Sequence, residues 1–190
     1  MKYNEFRDIL RVRLISVKGN EKFLEAVPHR NYEDMAMVYV LDYPDRPKYI
    51  INELLDMWGV DEEKLHEDAM EAAHDCCGMR FRSIGQVFES YGDVAEDPTA
   101  FYIVTTDVPF GAWALFYKNF MEDFYNAMGY GGYYILPSSV HEMLLLPNRD
   151  FEPEELQKMV AEINATAVEP EDRLTDSVYY YDKDGFRRVA

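Results

Sequence analysis

The sequence predicts an α+β fold, one domain over residues 1–190 with a mixed or largely antiparallel sheet and helices packed on it. Three observations predict it. Short apolar runs and amphipathic helical stretches follow one another without regular alternation. Two of those runs, 133–136 and 142–146, are joined through Pro137, Ser138 and Ser139, as in a hairpin. Finally, 190 residues with 48% hydrophobic and 15% aromatic content can bury a core, and no repeat, low-complexity tract or long linker divides them.

Phe6, Ile9, Leu10 and Leu14 have helical spacing and predict a first, peripheral helix within residues 1–20, free to dock on the domain or on a partner. Residues 21–27 predict a further turn or two of helix, closed by Pro28. The unbroken apolar run 35–41 predicts a strand buried on both faces. Pro44 and Pro47 then fix a turn, and residues 49–51 resume an extended path. Asn52 predicts the cap of a brief helix through Trp58, stopped by Gly59. Asp61 predicts the cap of a longer helix, with Glu62 and Glu63 at the positive end of its dipole and Leu65, Ala69, Ala72, Ala73 and Cys76 on one face.

Residues 83–86 form a capping-box pattern that predicts a short helix with Ile84, Val87, Phe88 and Tyr91 as its stripe, followed by an acidic loop over 92–98. The β-branched and aromatic run 101–105 predicts a strand. Pro109 and Gly111 turn the chain into a helix predicted over 112–128, whose Trp113, Phe116, Phe120 and Phe124 share a face. Glycines 129, 131 and 132 stop that helix before the hairpin. Pro153 opens another amphipathic helix through Leu156, Met159, Val160 and Ile163, and 178–181 predict a last strand before a polar tail.

Nineteen basic against 36 acidic side chains leave a formal charge of −17. Phosphate binding needs clustered Lys and Arg, so direct nucleic-acid contact and an anionic-membrane partner are excluded as expectations. The deficit is central: residues 31–183 hold ten basic and 31 acidic side chains, a net of −21. Such a field repels nucleic acid and draws a basic protein partner. Charges among the first eight residues leave no apolar stretch for a secretory signal, and no run is long enough to span a bilayer, so the expected location is cytoplasmic. The two cysteines, Cys76 and Cys77, are adjacent and imply reduced, buried thiols.

Motifs with chemistry are sparse. His66-Glu67 begins like a zinc-protease helix, but the second ligand position is Met70, and His66 and His74 lie two turns apart. His74 with Cys77 makes one edge of a metal site without a second edge. No metal and no cofactor is therefore expected. Ser138, His141 and Glu142 have the residue types of a hydrolytic triad, yet neighbours on a strand point to opposite faces and no nucleophile-elbow motif is present. The glycines 129–132 lack the Lys-Ser or Lys-Thr of a phosphate loop. Fifteen tyrosines, three of them consecutive at 179–181, point to a contact surface or to a strand covered on both faces.

Four segments carry a resemblance: 25–30 (EAVPHR), 58–63 (WGVDEE), 133–142 (YYILPSSVHE) and 163–166 (INAT). Over residues 13–182 the chain resembles an uncharacterised bacterial family of gut Firmicutes, often found among mobile-element genes, with the ILPSS-V-HE stretch as its most specific part. The resemblance implies a mobile-element setting and no activity, cofactor or substrate. The resemblance also implies that longer members carry an extra region between the first helix and the segment matching residues 13–30, and it leaves open whether this chain is a shortened form that kept one of two functions.

The reading that these features favour is a non-enzymatic interaction protein whose acidic body meets a basic protein partner. Its sharper form is an anti-defence inhibitor that imitates the charge of DNA. Glu62, Glu63, Glu67, Asp68, Glu71 and Asp75 are the expected binding residues, with Asp93, Glu96 and Asp97 nearby where the fold allows. Two rivals stand beside it. One is a small hydrolase using Ser138, His141 and Glu142; the other is a structural subunit of an oligomer.

Overall fold

The computed structural model describes residues 2–83, 101–129, 131–148 and 151–190. The chain folds into two compact units, Met1–Gly78 and Met79–Ala190, each with its own antiparallel sheet. The fold is α+β, as the mixture of runs predicts. The short helix predicted from Ser83 and the acidic loop after it fall in 84–100, outside the described residues.

The first unit is built on β1 (Leu10–Ser16), β2 (His29–Tyr32), β3 (Met35–Asp42) and β4 (Pro47–Tyr49), in which β3 pairs with the other three. Every residue of β3 except Asp42 is buried, because both faces are covered. On one face Ala36 and Val38 pack with Leu24 of α1 (Glu21–Leu24) and Val27 of the turn that follows it. On the other, Tyr39 meets His66 of α3 (Glu62–Cys77). Between them runs α2 (Asn52–Trp58), ended by Gly59 at φ 65°. Its expected cap, Asn52, instead ties to the turn after α1: its side-chain amide donates to the Glu25 carbonyl and its N–H to that of Ala26. Asp61 does cap α3, accepting from the Lys64 N–H at 2.8 Å.

The first predicted helix is corrected. Residues 3–9 form two short 3-10 turns, and Leu10–Ser16 is a strand in register with β3, Leu10 opposite Leu41 and Ser16 opposite Met35. Leu10, Val12 and Leu14 alternate with Arg11 and Arg13, a period-two pattern that satisfies a sheet edge, and pairing with β3 outweighs the helical spacing of Phe6, Ile9, Leu10 and Leu14. The strand β2 escaped the sequence reading because His29-Arg30-Asn31-Tyr32 has no apolar run to mark it.

The second unit carries β5 (Met79–Ser83), β6 (Tyr102–Thr106), β7 (Tyr133–Pro137), β8 (Met143–Pro147), β9 (Tyr179–Asp182) and β10 (Gly185–Arg188), in the order β10-β9-β7-β8-β6-β5. The hairpin of β7 and β8 stands as predicted. The expected polar tail is instead β10, turned back on β9 through Gly185 at φ 98° and clasped by two Arg187–Asp182 hydrogen bonds of 2.8 and 2.7 Å. Of the three consecutive tyrosines, Tyr179 and Tyr180 are buried and Tyr181 is half-buried: Tyr180 packs on Tyr134, while Tyr179 stacks on Phe186 and Tyr181 on Tyr133.

The helix predicted over 112–128 is two pieces, a 3-10 segment (Gly111–Phe116) and α4 (Phe120–Met128). All six residues of the first piece are buried, and the chain breaks at Lys118, φ 44°, so Phe116 turns to Phe186 while Phe120 and Phe124 turn to Phe81. A single helix cannot bury six consecutive residues and still present one stripe. Gly111 is held against β6, where a Cβ would lie 2.5 Å from the Thr106 amide nitrogen. Gly111→Ala is therefore expected to destabilise the protein by about 2 kcal/mol, read as a lowered midpoint in urea unfolding; an unchanged midpoint would show that this backbone yields freely.

The last helix, α5 (Pro153–Ala167), buries Leu156, Val160 and Asn164, and leaves Met159 and Ile163 of the predicted stripe largely exposed. Leu156 and Val160 pack with Tyr134, Leu136, Leu146, Val178 and Tyr180 to form this unit's core on that face.

Candidate functional site

The six expected binding residues all lie on α3, and helical spacing sorts them into three roles. In the first turn Glu62 accepts the His29 N–H at 2.7 Å and Glu63 pairs with Arg30, so both carboxylates hold β2 to the helix. Glu67, Glu71 and Asp75, four residues apart, are exposed and form one stripe along the helix.

Asp68 belongs to neither group. Its side chain is 2% exposed and takes the Tyr3 hydroxyl at 2.9 Å, Arg7 Nη2 at 2.7 Å and Lys64 Nζ at 2.8 Å. Burial pushes its carboxyl up, but hydrogen bonds from Lys64 and Tyr3 and the charges of Arg7 and Lys64 outweigh that and hold it below its ordinary range. Burial, and then the contact with Asp68, push the Tyr3 hydroxyl above its ordinary range. Asp68 is thus the anchor of the N-terminal turns and is covered by its own cations.

Those turns and α3 enclose a groove of about 460 Å³, lined by Asn4, Arg7, Asp8, Asp68, Glu71 and Asp75. Arg7 is the one cation among its lining residues and is committed to Asp68, with Glu71 at 3.8 Å. A second groove of about 350 Å³ opens on the other side of Asn4, lined by Lys2, Tyr3, Met57, Trp58 and Val60. Trp58 packs there against Tyr3 and Phe6, with ring centroids 5.3 and 5.5 Å apart.

Behind the helix, His66 Nδ1 lies 3.0 Å from the Tyr39 hydroxyl. Burial, then the charge of Arg30, drives its pKa down to about 4, against a smaller upward pull from Glu63. The cysteines divide: Cys76 is exposed, with Arg11 Nη2 2.8 Å from its sulfur, and Cys77 is buried, which raises its thiol to about 11. Among the described residues no group of three or more His, Cys, Asp or Glu side chains stands close enough to hold a metal ion, and no helix is long and apolar enough to cross a membrane.

In the second unit the hydrolase candidates occupy the turn between β7 and β8, where Ser139 Oγ accepts the His141 N–H. Ser138 donates to Glu142 Oε1 at 3.3 Å and has no bond to His141. Both ring nitrogens of His141 are engaged: Nδ1 accepts the Phe110 N–H at 2.9 Å and Nε2 faces Asp172 Oδ1 at 3.3 Å. A general base needs a free lone pair directed at its nucleophile. Here that lone pair fixes Phe110, a non-glycine residue at φ 68°, in the left-handed region. The three residues therefore come together as a turn, with His141 tying β6's exit loop to Asp172.

Sequence reasoning missed Tyr3, Arg7, Phe110 and Asp172 as partners. Only the Lys64–Asp68 pair had a local signal, its four-residue spacing. The others sit tens of residues from what they touch.

No curated protein and no solved structure matches the chain, so the side chains alone carry the functional argument. A family model does match, over residues 1–183, and it takes in both the N-terminal turns and the turn between β7 and β8. The chain belongs to DUF5688, a family of unknown function.

Proposed function

We propose that this chain is a non-enzymatic, cytoplasmic protein-interaction module that binds a basic partner protein through an acidic face on α3. The exposed stripe of Glu67, Glu71 and Asp75 carries the reading. Like charges four residues apart cost a helix about 0.2–0.5 kcal/mol per pair, and here no described cation offsets Glu67. The helix as a whole holds six carboxylates and one lysine. In the mobile-element setting that the resemblance implies, the sharper form is an inhibitor that presents the charge of DNA to a nucleic-acid-binding protein.

The test is affinity capture from native cytosol at about 0.05 and about 0.5 M salt, with wild type and with a Glu67→Lys, Glu71→Lys, Asp75→Lys triple variant. A captured basic protein is expected to be lost both at high salt and with the variant. Capture that is indifferent to salt and to the three reversals rejects the reading.

A further inference from the structure

Two adjacent thiols, Cys76 and Cys77, end α3 in different surroundings. Cys76 is exposed, with Arg11 Nη2 2.8 Å from its sulfur. The rest of that guanidinium is fixed: Nη1 donates to the Asp8 and Leu10 carbonyls at 2.9 and 2.7 Å, and Nε lies 3.9 Å from Asp42. Arg11 sits in β1 opposite Val40, so the sheet holds the donor beside the sulfur. An exposed thiol beside an arginine, with a second thiol next to it, is the setting in which cysteines are oxidised reversibly. Cys77 is the guarded member of the pair, 3% exposed. Burial, and then the neighbouring Cys76, raise its thiol to about 11.

We infer that Cys76 is a site of reversible oxidation by a peroxide, and that Cys77 resolves it as a disulfide within the chain. In the first step the Cys76 thiolate attacks one peroxide oxygen. An S–O bond forms, the O–O bond breaks, and hydroxide leaves with the electron pair. In the second step the Cys77 thiolate attacks the sulfenic sulfur; the S–S bond forms, the S–O bond breaks, and a second hydroxide leaves. The two thiol protons and the two hydroxides make two waters, and two electrons pass from sulfur to the peroxide. The second step is the slower one, since few Cys77 side chains are thiolate at neutral pH. Adjacent Cα atoms are about 3.8 Å apart, closer than the roughly 4.4–6.8 Å usual for a disulfide, and consecutive helical side chains diverge by about 100°. The last turn of α3 must therefore open to close the bond. Cys77 is its final residue, and Gly78 leaves the helix at φ 54°, so the change is confined to the helix end. A strained disulfide is readily reduced, which makes this one transient and not structural.

The experiment treats the reduced full chain with hydrogen peroxide, with and without dimedone as a trap for sulfenic acid, and reads intact and peptide masses. Wild type is compared with Cys76→Ser, Cys77→Ala, Arg11→Gln and Arg11→Lys. Wild type is expected to lose the mass of two hydrogens, to remain a single chain, and to regain that mass with a dithiol reductant. Dimedone should label Cys76 and not Cys77, and the label should rise in Cys77→Ala, where no second thiol resolves the sulfenic acid. Cys76→Ser should leave Cys77 reduced. Arg11→Gln should oxidise about tenfold more slowly than wild type, whereas Arg11→Lys, which keeps a cation, should not. Labelling of Cys77 ahead of Cys76, an unreactive Cys76, or a disulfide that joins two chains through Cys76 overturns the inference. Equal rates in wild type and both Arg11 variants overturn the part assigned to the guanidinium.

Discussion

Asp68→Ala is expected to destabilise the protein by about 3 kcal/mol at neutral pH, the loss of a buried carboxylate on which three donors converge. The figure sits at the low end for a broken buried ion pair, because Arg7 and Lys64 are 45% and 53% exposed and can turn to water. Tyr3 cannot follow them easily. It is 8% exposed and held against Trp58, so its hydroxyl stays behind without an acceptor. Urea unfolding measures the total, and hydrogen exchange locates it: protection should fall in residues 3–9 and along the Asp68 face of α3. A loss below about 1 kcal/mol would mean that the carboxylate's desolvation cancels its three bonds. The pH dependence has a fixed sign. The folded pKa lies below the ordinary value of 3.8, so the contribution is present above that value and is lost as the pH falls through the folded one.

Asp68 also shows how far this sequence can be read. Its place on α3 was legible, because Asp61 caps the helix and the apolar residues recur with helical period. Its burial was not. An acid at a position flanked by Glu67 and Glu71 looks like part of a solvated face until the N-terminal turns bring Tyr3 and Arg7 onto it. The same long-range pairing turned Leu10–Ser16 from a predicted helix into a strand, since its partners on β3, from Met35 opposite Ser16 to Leu41 opposite Leu10, lie beyond the reach of a local pattern. By contrast β3 itself and the β7–β8 hairpin were legible, one from an unbroken apolar run and the other from a turn of fixed chemistry between two runs. The site follows the same rule. The stripe of Glu67, Glu71 and Asp75 is written in four-residue spacing, while the packing of Tyr3 on Trp58 joins distant parts of the chain and has no local signature.

The second large effect is a loss of stability on mild acidification that depends on His66. In the folded chain its pKa is about 4, against an ordinary value of 6.5, because burial and then Arg30 disfavour the cation. Between those values the unfolded chain binds a proton that the folded chain does not. Stability is therefore complete above about pH 6.5 and declines as the pH falls toward 4, by about 2–3 kcal/mol in total. Protonation also reverses the contact with Tyr39: the neutral ring can accept the Tyr39 hydroxyl proton at Nδ1 across 3.0 Å, whereas the cation must donate to the hydroxyl oxygen. His66→Gln keeps an acceptor within reach of Tyr39 and carries no titrating group. Its unfolding free energy should change little between pH 7 and pH 4.5, while that of wild type drops. Parallel losses in the two proteins would assign the acid sensitivity to carboxylates, and His66 would then contribute packing alone. The window matters for the acidic face, because Glu67, Glu71 and Asp75 lie on the helix that His66 locks to β3. A shift in partner binding between pH 7 and pH 5 that vanishes in His66→Gln would come from the lock, and one that persists would not.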